Sequence, residues 1–254
     1  MTDKLTQHSA KAALITGAAK RIGAKLAMLL AKRGYDIVLH YHNSEEPALQ
    51  LQQHIKNSFK VNCHILKADL TCVKEIAGLA KKVPDILPNW SLLINNASNF
   101  NQSDILNIKA EELMDSFNLH LTTSLLLTQS FAEHCGKTAI NGNIINMVDK
   151  NITRFRTKYF AYLLNKKFLA EFTKMAAIRL APQIRVNAIA PDFIEASDDQ
   201  KLANWEINNL PAKNPLQRPA NINHVIQTVE YLLDNDYING QVLFIDGASS
   251  LINC

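Results

Sequence analysis

Glycine is scarce in this chain, with eight among 254 residues, which excludes a glycine-rich linker or low-complexity tract. Long apolar runs are also missing. The segment TTSLLLTQSFA (122–132) is too short and too polar to span a bilayer, and the N-terminal MTDKLTQHSAKAA lacks the apolar core of a signal peptide. No dense block of Lys and Arg occurs, and the formal charge of +4 is too small to mark a nucleic-acid surface. Cys63, Cys72, Cys135 and Cys254 show neither a C-x-x-C pair nor metal-ligand spacing, so reduced thiols in a cytoplasmic protein are expected. His40 and His42 flank Tyr41 with no third ligand near in sequence, and no metal site is expected.

What is present is an ordinary globular composition, 47% hydrophobic and 20% charged, and a regular alternation of strand and helix patterns. Apolar runs at 12–17, 36–42, 61–70, 91–98, 142–148, 184–191 and 240–247 read as strands. Helical patterns fill 21–34, closed by Gly34, then 47–58 opening on Pro47, and 74–83, 110–134, 157–181 and 221–234. Such alternation predicts right-handed crossovers and one Rossmann-type, doubly wound parallel sheet of about seven strands with helices on both faces. The expected organisation is a flexible N-terminus at 1–9 and one α/β domain over 10–254.

The first strand runs into TGAAKRIG (16–23) and a helix. In a dinucleotide fold this turn presents backbone N–H groups and a helix N-terminus to a pyrophosphate. Gly17 and Gly23 supply two of the three glycines of that fingerprint. Arg21 stands at the middle one and, with Lys20 and Ile22 beside it, adds cationic charge near phosphates. The second strand ends in His40-Tyr41-His42-Asn43-Ser44 with no carboxylate, whereas a carboxylate there would repel a 2′-phosphate. NADPH is therefore expected over NADH.

Tyr162 and Lys166 lie four residues apart on a helix and so share a face. An ammonium beside a phenol favours the phenolate and is expected to bring the tyrosine's pKa down towards neutrality. Asp149 follows the apolar run Ile144, Ile145, Met147, Val148 and would place a carboxylate at the mouth of the sheet beside that pair.

With TGAAKRIG, NNAS (95–98), Asn118, MVD followed by YLLNK, RVNAIAP (185–191) and GQVLFIDG (240–247), residues 11–251 resemble the short-chain dehydrogenase/reductase family. The resemblance is to its pteridine reductase subgroup, carried by Arg21, by Ser98 in place of glycine, by Asp149 in place of the usual catalytic serine, and by Phe100 and the HYH segment. It implies NADPH-dependent reduction of a dihydropterin to a tetrahydropterin, with dihydromonapterin, dihydrobiopterin or weakly dihydrofolate as substrate, in a cytoplasmic homotetramer. Tyr162 would donate the proton, Lys166 would hold the nicotinamide ribose, and Asp149 would work with Tyr162 in protonation. Asn118 would order a water chain to the lysine. Phe100 would stack on the pteridine, and Ser98 and Arg21 would touch both cofactor and substrate. Asp69 and Leu70 would contact the adenine, Asn96 and Ala97 the adenine ribose, and His42, Asn43 and Ser44 the 2′-phosphate end. Asn43 departs from the subgroup, where an arginine often clamps that phosphate, and Ala248 replaces the second glycine of D-G-G.

The aspartate also has a chemical reason. A serine hydroxyl suits a carbonyl that becomes an alcohol, whereas a carboxyl suits a C=N bond in a ring rich in amide and amino groups. In a partly dry pocket such a carboxyl is expected to keep its proton near neutral pH. The alternatives are a carbonyl reductase acting on 3-oxoacyl thioesters, which wants a hydroxyl at 149, and a non-catalytic NADP-binding regulator, which has no need of both Tyr162 and Lys166. Residues 193–215 occupy the position of a substrate lid, where Trp205 is either a lid anchor or a core plug. Asp192 is expected to be a solvent-facing loop acid.

Overall fold

The structure is a computed structural model that describes residues 11–192, 194–195 and 214–252. The expected flexible N-terminus, Trp205 and nearly all of the proposed lid lie outside the described residues.

Seven parallel strands make the main sheet: β1 (Ala12–Ile15), β2 (Asp36–Tyr41), β3 (Cys63–Lys67), β4 (Trp90–Asn95), β5 (Gly142–Met147), β6 (Ile184–Pro191) and, last in sequence, β9 (Val242–Ile245). A separate parallel pair joins β7 (Ile194–Glu195) to β8 (Ala220–Asn221). The order across the main sheet is β3-β2-β1-β4-β5-β6-β9. Helices α1 (Arg21–Lys32), α2 (Glu45–Ser58), α3 (Val73–Ile86), α4 (Ala110–Phe117), α5 (Thr123–Thr138), α6 (Phe160–Leu180) and α7 (Ile222–Asp234) cover it.

The strands are apolar at nearly every position because both faces are buried. Ala13 and Ile15 of β1 pack with Leu26 and Leu30 of α1 and Val225 and Val229 of α7. Ala12 and Leu14 point the other way, into a core with Leu79 and Val83 of α3 and Phe131 of α5. Trp90 anchors that second core, edge-on to Phe131 at 4.8 Å, with its indole N–H donating to the Leu92 carbonyl at 2.9 Å. Fully burying side chains of this size contributes about 2 kcal/mol each.

One helix end falls where the sequence places it and two features differ, each for a local reason. Gly34 ends α1 as expected, at φ +80°, with the Tyr35 amide returning to the Leu30 carbonyl. Helix α2 starts two residues before Pro47, at Glu45, because a proline is tolerated wherever a first-turn amide has no partner anyway. The helix expected over 110–134 is broken into α4 and α5 by a π-turn at Asn118–Thr122. There the Thr123 amide and hydroxyl both reach the Asn118 carbonyl, and the Ser124 hydroxyl takes the His120 carbonyl at 2.7 Å. Single π-turns inside helices recur at functional sites.

Candidate active site

In an open parallel sheet the crevice lies at the carboxyl ends of the strands where the order reverses, here between β1 and β4. Thr16 stitches the two strand ends together. Its hydroxyl accepts the amides of Asn96 and Ala97, both at 2.9 Å, while the Asn96 amide group donates to the carbonyls of Thr16 and Gly17. The following turn comes so close to β4 that Gly17, at φ +62°, has room for no side chain; a Cβ there would lie 2.9 Å from Ala97 Cα. A Cβ on Gly23 would sit 2.2 Å from the Gly17 carbonyl oxygen. Arg21 keeps the left-handed conformation of the glycine it replaces, at φ +52°, a strain of the order of 1 kcal/mol or more.

This turn fits a dinucleotide phosphate. The first turn of α1 contains no acid, its leading amides have no intrahelical acceptor, and the exposed Lys20 and Arg21 flank it. His40 braces it from beneath. The buried imidazole donates from Nε2 to the Ala68 carbonyl and accepts the Gly17 amide at Nδ1, both at 3.1 Å. Burial pulls its pKa down to about 4, so it is neutral.

At the rim His42 and Asn43 are exposed, and Ser44 is the residue before α2. His42 Nε2 lies 3.7 Å from an Asp69 carboxylate oxygen. Burial works to raise the Asp69 pKa, but hydrogen bonds from the Thr71 amide and hydroxyl, with His42, hold it below its ordinary value. Leu70, next to it, is buried.

Asp149, Tyr162 and Lys166 come together at the end of β5 and the start of α6. Tyr162 donates its hydroxyl proton to Asp149 Oδ2 at 2.9 Å. Asp149 Oδ1 accepts the backbone and side-chain N–H groups of Asn151, at 2.7 and 2.8 Å, which caps a short 3₁₀ turn at Lys150–Thr153. Lys166 is 2% exposed, donates to the Met147 carbonyl at 2.7 Å and lies 5.6 Å from the centroid of the Tyr162 ring. Burial lowers its pKa to about 8, against the pull of Asp149.

This geometry corrects one expectation. Tyr162 is shifted well above its ordinary value, not below it, by burial first and then by the charge and hydrogen bond of Asp149. The lysine lies against the ring while the carboxylate meets the hydroxyl, so the nearer charge opposes the phenolate. The proton therefore stays on the Tyr162 hydroxyl, where Asp149 accepts it.

Asn118 and Phe100 each make contacts of their own beside these residues. The Asn118 side chain donates to the Thr71 carbonyl at 2.9 Å and accepts the Thr122 hydroxyl, without a direct hydrogen bond to Lys166. His120, two residues on, lies edge-on to the Tyr162 ring at 5.6 Å. Its only trace in the sequence is a histidine among apolar residues in NLHL. Phe100 is 58% exposed and edge-on to Tyr162 at 4.9 Å, and one of its faces stacks at 4.0 Å on Tyr159, another residue the sequence did not single out. Ser98 lies exposed between these groups.

Asp192 is not a solvent-facing acid. Its side chain is 5% exposed, paired with Lys150 at 2.5 Å, and accepts the buried Ser249 hydroxyl at 2.8 Å. Lys150 also reaches Ser249, and Arg154 clamps the Ser249 and Ile252 carbonyls. The carboxylate is thus neutralised inside the fold, beside the residue that follows Asp149. Asp192→Ala is expected to lower the thermal midpoint by roughly 5–10 °C, because a lysine is left nearly buried without its counter-charge. Differential scanning fluorimetry checks it, and an unchanged midpoint would mean that the pair contributes nothing.

A family model described as enoyl-(acyl carrier protein) reductase matches residues 17–249. Pteridine reductase 1 of Leishmania tarentolae is 30% identical over 97% of this chain and 98% of its own. The 3-oxoacyl-[acyl-carrier-protein] reductase FabG of Staphylococcus aureus is 27% identical over 93% and 97%. Among solved structures, FolM alternative dihydrofolate reductase 1 from Brucella canis, complexed with NADP, superposes with a TM-score of 0.86 at 29% identity, covering 96% of this chain and 95% of that one.

Proposed function

The chain belongs to the short-chain dehydrogenase/reductase family, and we propose that within it the protein is an NADPH-dependent pterin reductase. It takes a dihydropterin to a tetrahydropterin, with dihydromonapterin or dihydrobiopterin the substrates of choice and dihydrofolate a weak one. The observation that carries this reading is the Asp149 carboxylate on the Tyr162 hydroxyl.

NADPH, when bound, supplies the hydride. Gly17, Lys20, Arg21, Ile22 and Gly23 hold its diphosphate, and His42, Asn43 and Ser44 its 2′-phosphate. Asp69, Leu70, Asn96 and Ala97 line the adenosine, and Lys166 holds the nicotinamide ribose. The Tyr162 hydroxyl gives its proton to the ring nitrogen of the C=N bond being reduced. Asp149 orients that hydroxyl as a carboxylate, then takes up a proton from water and passes it to the tyrosinate, which restores the phenol. Phe100 and Ser98 form the wall against which the pteridine lies, and Arg21 closes it from the cofactor side. The same reading makes the molecule a cytoplasmic homotetramer.

The likeness to FabG favours a second reading, reduction of a 3-oxoacyl thioester. That reaction is better served by a hydroxyl than by a carboxylate at 149. Asp149→Ser separates them, since serine still caps the 3₁₀ turn. The expected result is a loss of about 100-fold in dihydropterin kcat/KM, with the NADPH Kd unchanged within about threefold. Equal losses in both would mean that the aspartate is structural.

A further inference from the structure

His120 is the least expected group near the catalytic pair. It sits in the middle of the π-turn, 2% exposed, with its ring edge-on to Tyr162. Its Nδ1 lies 2.8 Å from the Ser116 backbone carbonyl. A carbonyl oxygen only accepts, so Nδ1 carries the proton. In a neutral ring Nε2 is then a bare acceptor. The group 3.0 Å from it is the Ser98 hydroxyl, which must therefore be the donor.

Burial and the nearby Lys166 lower the His120 pKa to about 3, against the pull of the Ser116 carbonyl, so the ring stays neutral at working pH. The far end of the chain is also fixed, because Ser116 Oγ accepts the Asn165 side-chain amide at 3.0 Å. Asn165 stands next to Lys166 on α6. The path Ser98–His120–Ser116–Asn165 thus ties the end of β4 to the helix that carries Tyr162 and Lys166.

We propose that His120 is a positioning residue that makes Ser98 a hydrogen-bond acceptor towards the cleft, so that the site selects a substrate presenting an N–H or amino group there. A serine hydroxyl has one proton. The protein's own acceptors, His120 Nε2 at 3.0 Å and the Asn99 carbonyl at 3.2 Å, retain it. What Ser98 offers the cleft is its lone pairs, and a ligand carbonyl in that place would meet an acceptor and be rejected. A pterin's pyrimidine edge carries ring N–H and amino donors; a 3-oxoacyl thioester has none at its reacting carbonyl. The selection of substrate rests on the pterin reading above, whereas the tautomer does not.

Two measurements test it. Nitrogen-15 NMR of the histidine rings at pH 7 is expected to show His120 neutral and protonated on Nδ1; an Nε2-protonated ring or an imidazolium overturns the proposal whatever the substrate. In kinetics with a dihydropterin, Ser98→Ala and His120→Leu are each expected to raise KM about tenfold. For His120→Leu, which touches neither cofactor nor substrate, the kcat and the NADPH Kd should stay within about threefold. The double variant should be no worse than either single one, because both remove the same contact. Independent, multiplied losses, or a loss in NADPH binding with KM unchanged, overturn it. Should His120→Leu not fold, the exposed Ser98→Ala and the ring tautomer decide. Failure of the wild-type protein to reduce any dihydropterin while the Nδ1 tautomer is seen would sink the pterin reading and the substrate selection but leave the positioning of Ser98 standing.

Discussion

Tyr162→Phe is expected to lower dihydropterin kcat/KM about a thousandfold or more while leaving the NADPH Kd within about threefold. The substitution removes only the hydroxyl. The ring keeps its edge contacts with Phe100 and His120, so the walls of the cleft survive. What is lost is the proton that burial and Asp149 keep on the phenol, and a positioned general acid contributes roughly 10²–10⁴-fold. Steady-state kinetics with fluorescence titration of NADPH reads both quantities. A loss below tenfold would transfer the donor's role to Asp149 or to water.

Lys166→Met is the second large effect, and its stability and activity are expected to move apart. Turnover should fall at least about 100-fold. The folded protein holds the lysine at a pKa of about 8, below the ordinary 10.5. The folded state therefore binds fewer protons than the unfolded chain between those values, and stability rises with pH across that window. Below about pH 8 the burial cost is fully present, of the order of 3 kcal/mol. Methionine removes that cost but leaves the Met147 carbonyl without its partner, a loss of about 1–3 kcal/mol. The thermal midpoint at pH 7 should therefore hold or rise slightly, as at sites where stability is given up for function. A fall of more than about 5 °C would show that the ammonium serves the fold. In the native enzyme the same lysine is expected to give kcat/KM an alkaline limb near pH 8.

The features legible in the sequence were those with a short period or a fixed neighbour. Strands buried on both faces had to read as apolar runs, as AALI and LLIN do. The four-residue spacing of Tyr162 and Lys166 placed both at one cleft, and Gly17 and Gly23 marked the turn where backbones touch. What the sequence concealed depends on angle or on distant partners. Spacing could not say that Lys166 would lie against the tyrosine ring while Asp149 met its hydroxyl, so the direction of the phenol's shift was misjudged. Nor could it pair Asp192 with Lys150 and Ser249, which three separate loops bring together. The π-turn, which no residue type in NLHLT announces, sets His120 edge-on to the Tyr162 ring.

In the proposed reading a carboxylate in place of a hydroxyl at 149 makes this member of the family act on a C=N bond. The most direct measurement is NADPH oxidation by the purified protein, with a dihydropterin and an acetoacetyl thioester assayed in parallel. The expected result is turnover of the dihydropterin with kcat/KM at least about 100-fold above that of the thioester, the discrimination of a site whose polar groups match one substrate. Turnover of the thioester alone would contradict it.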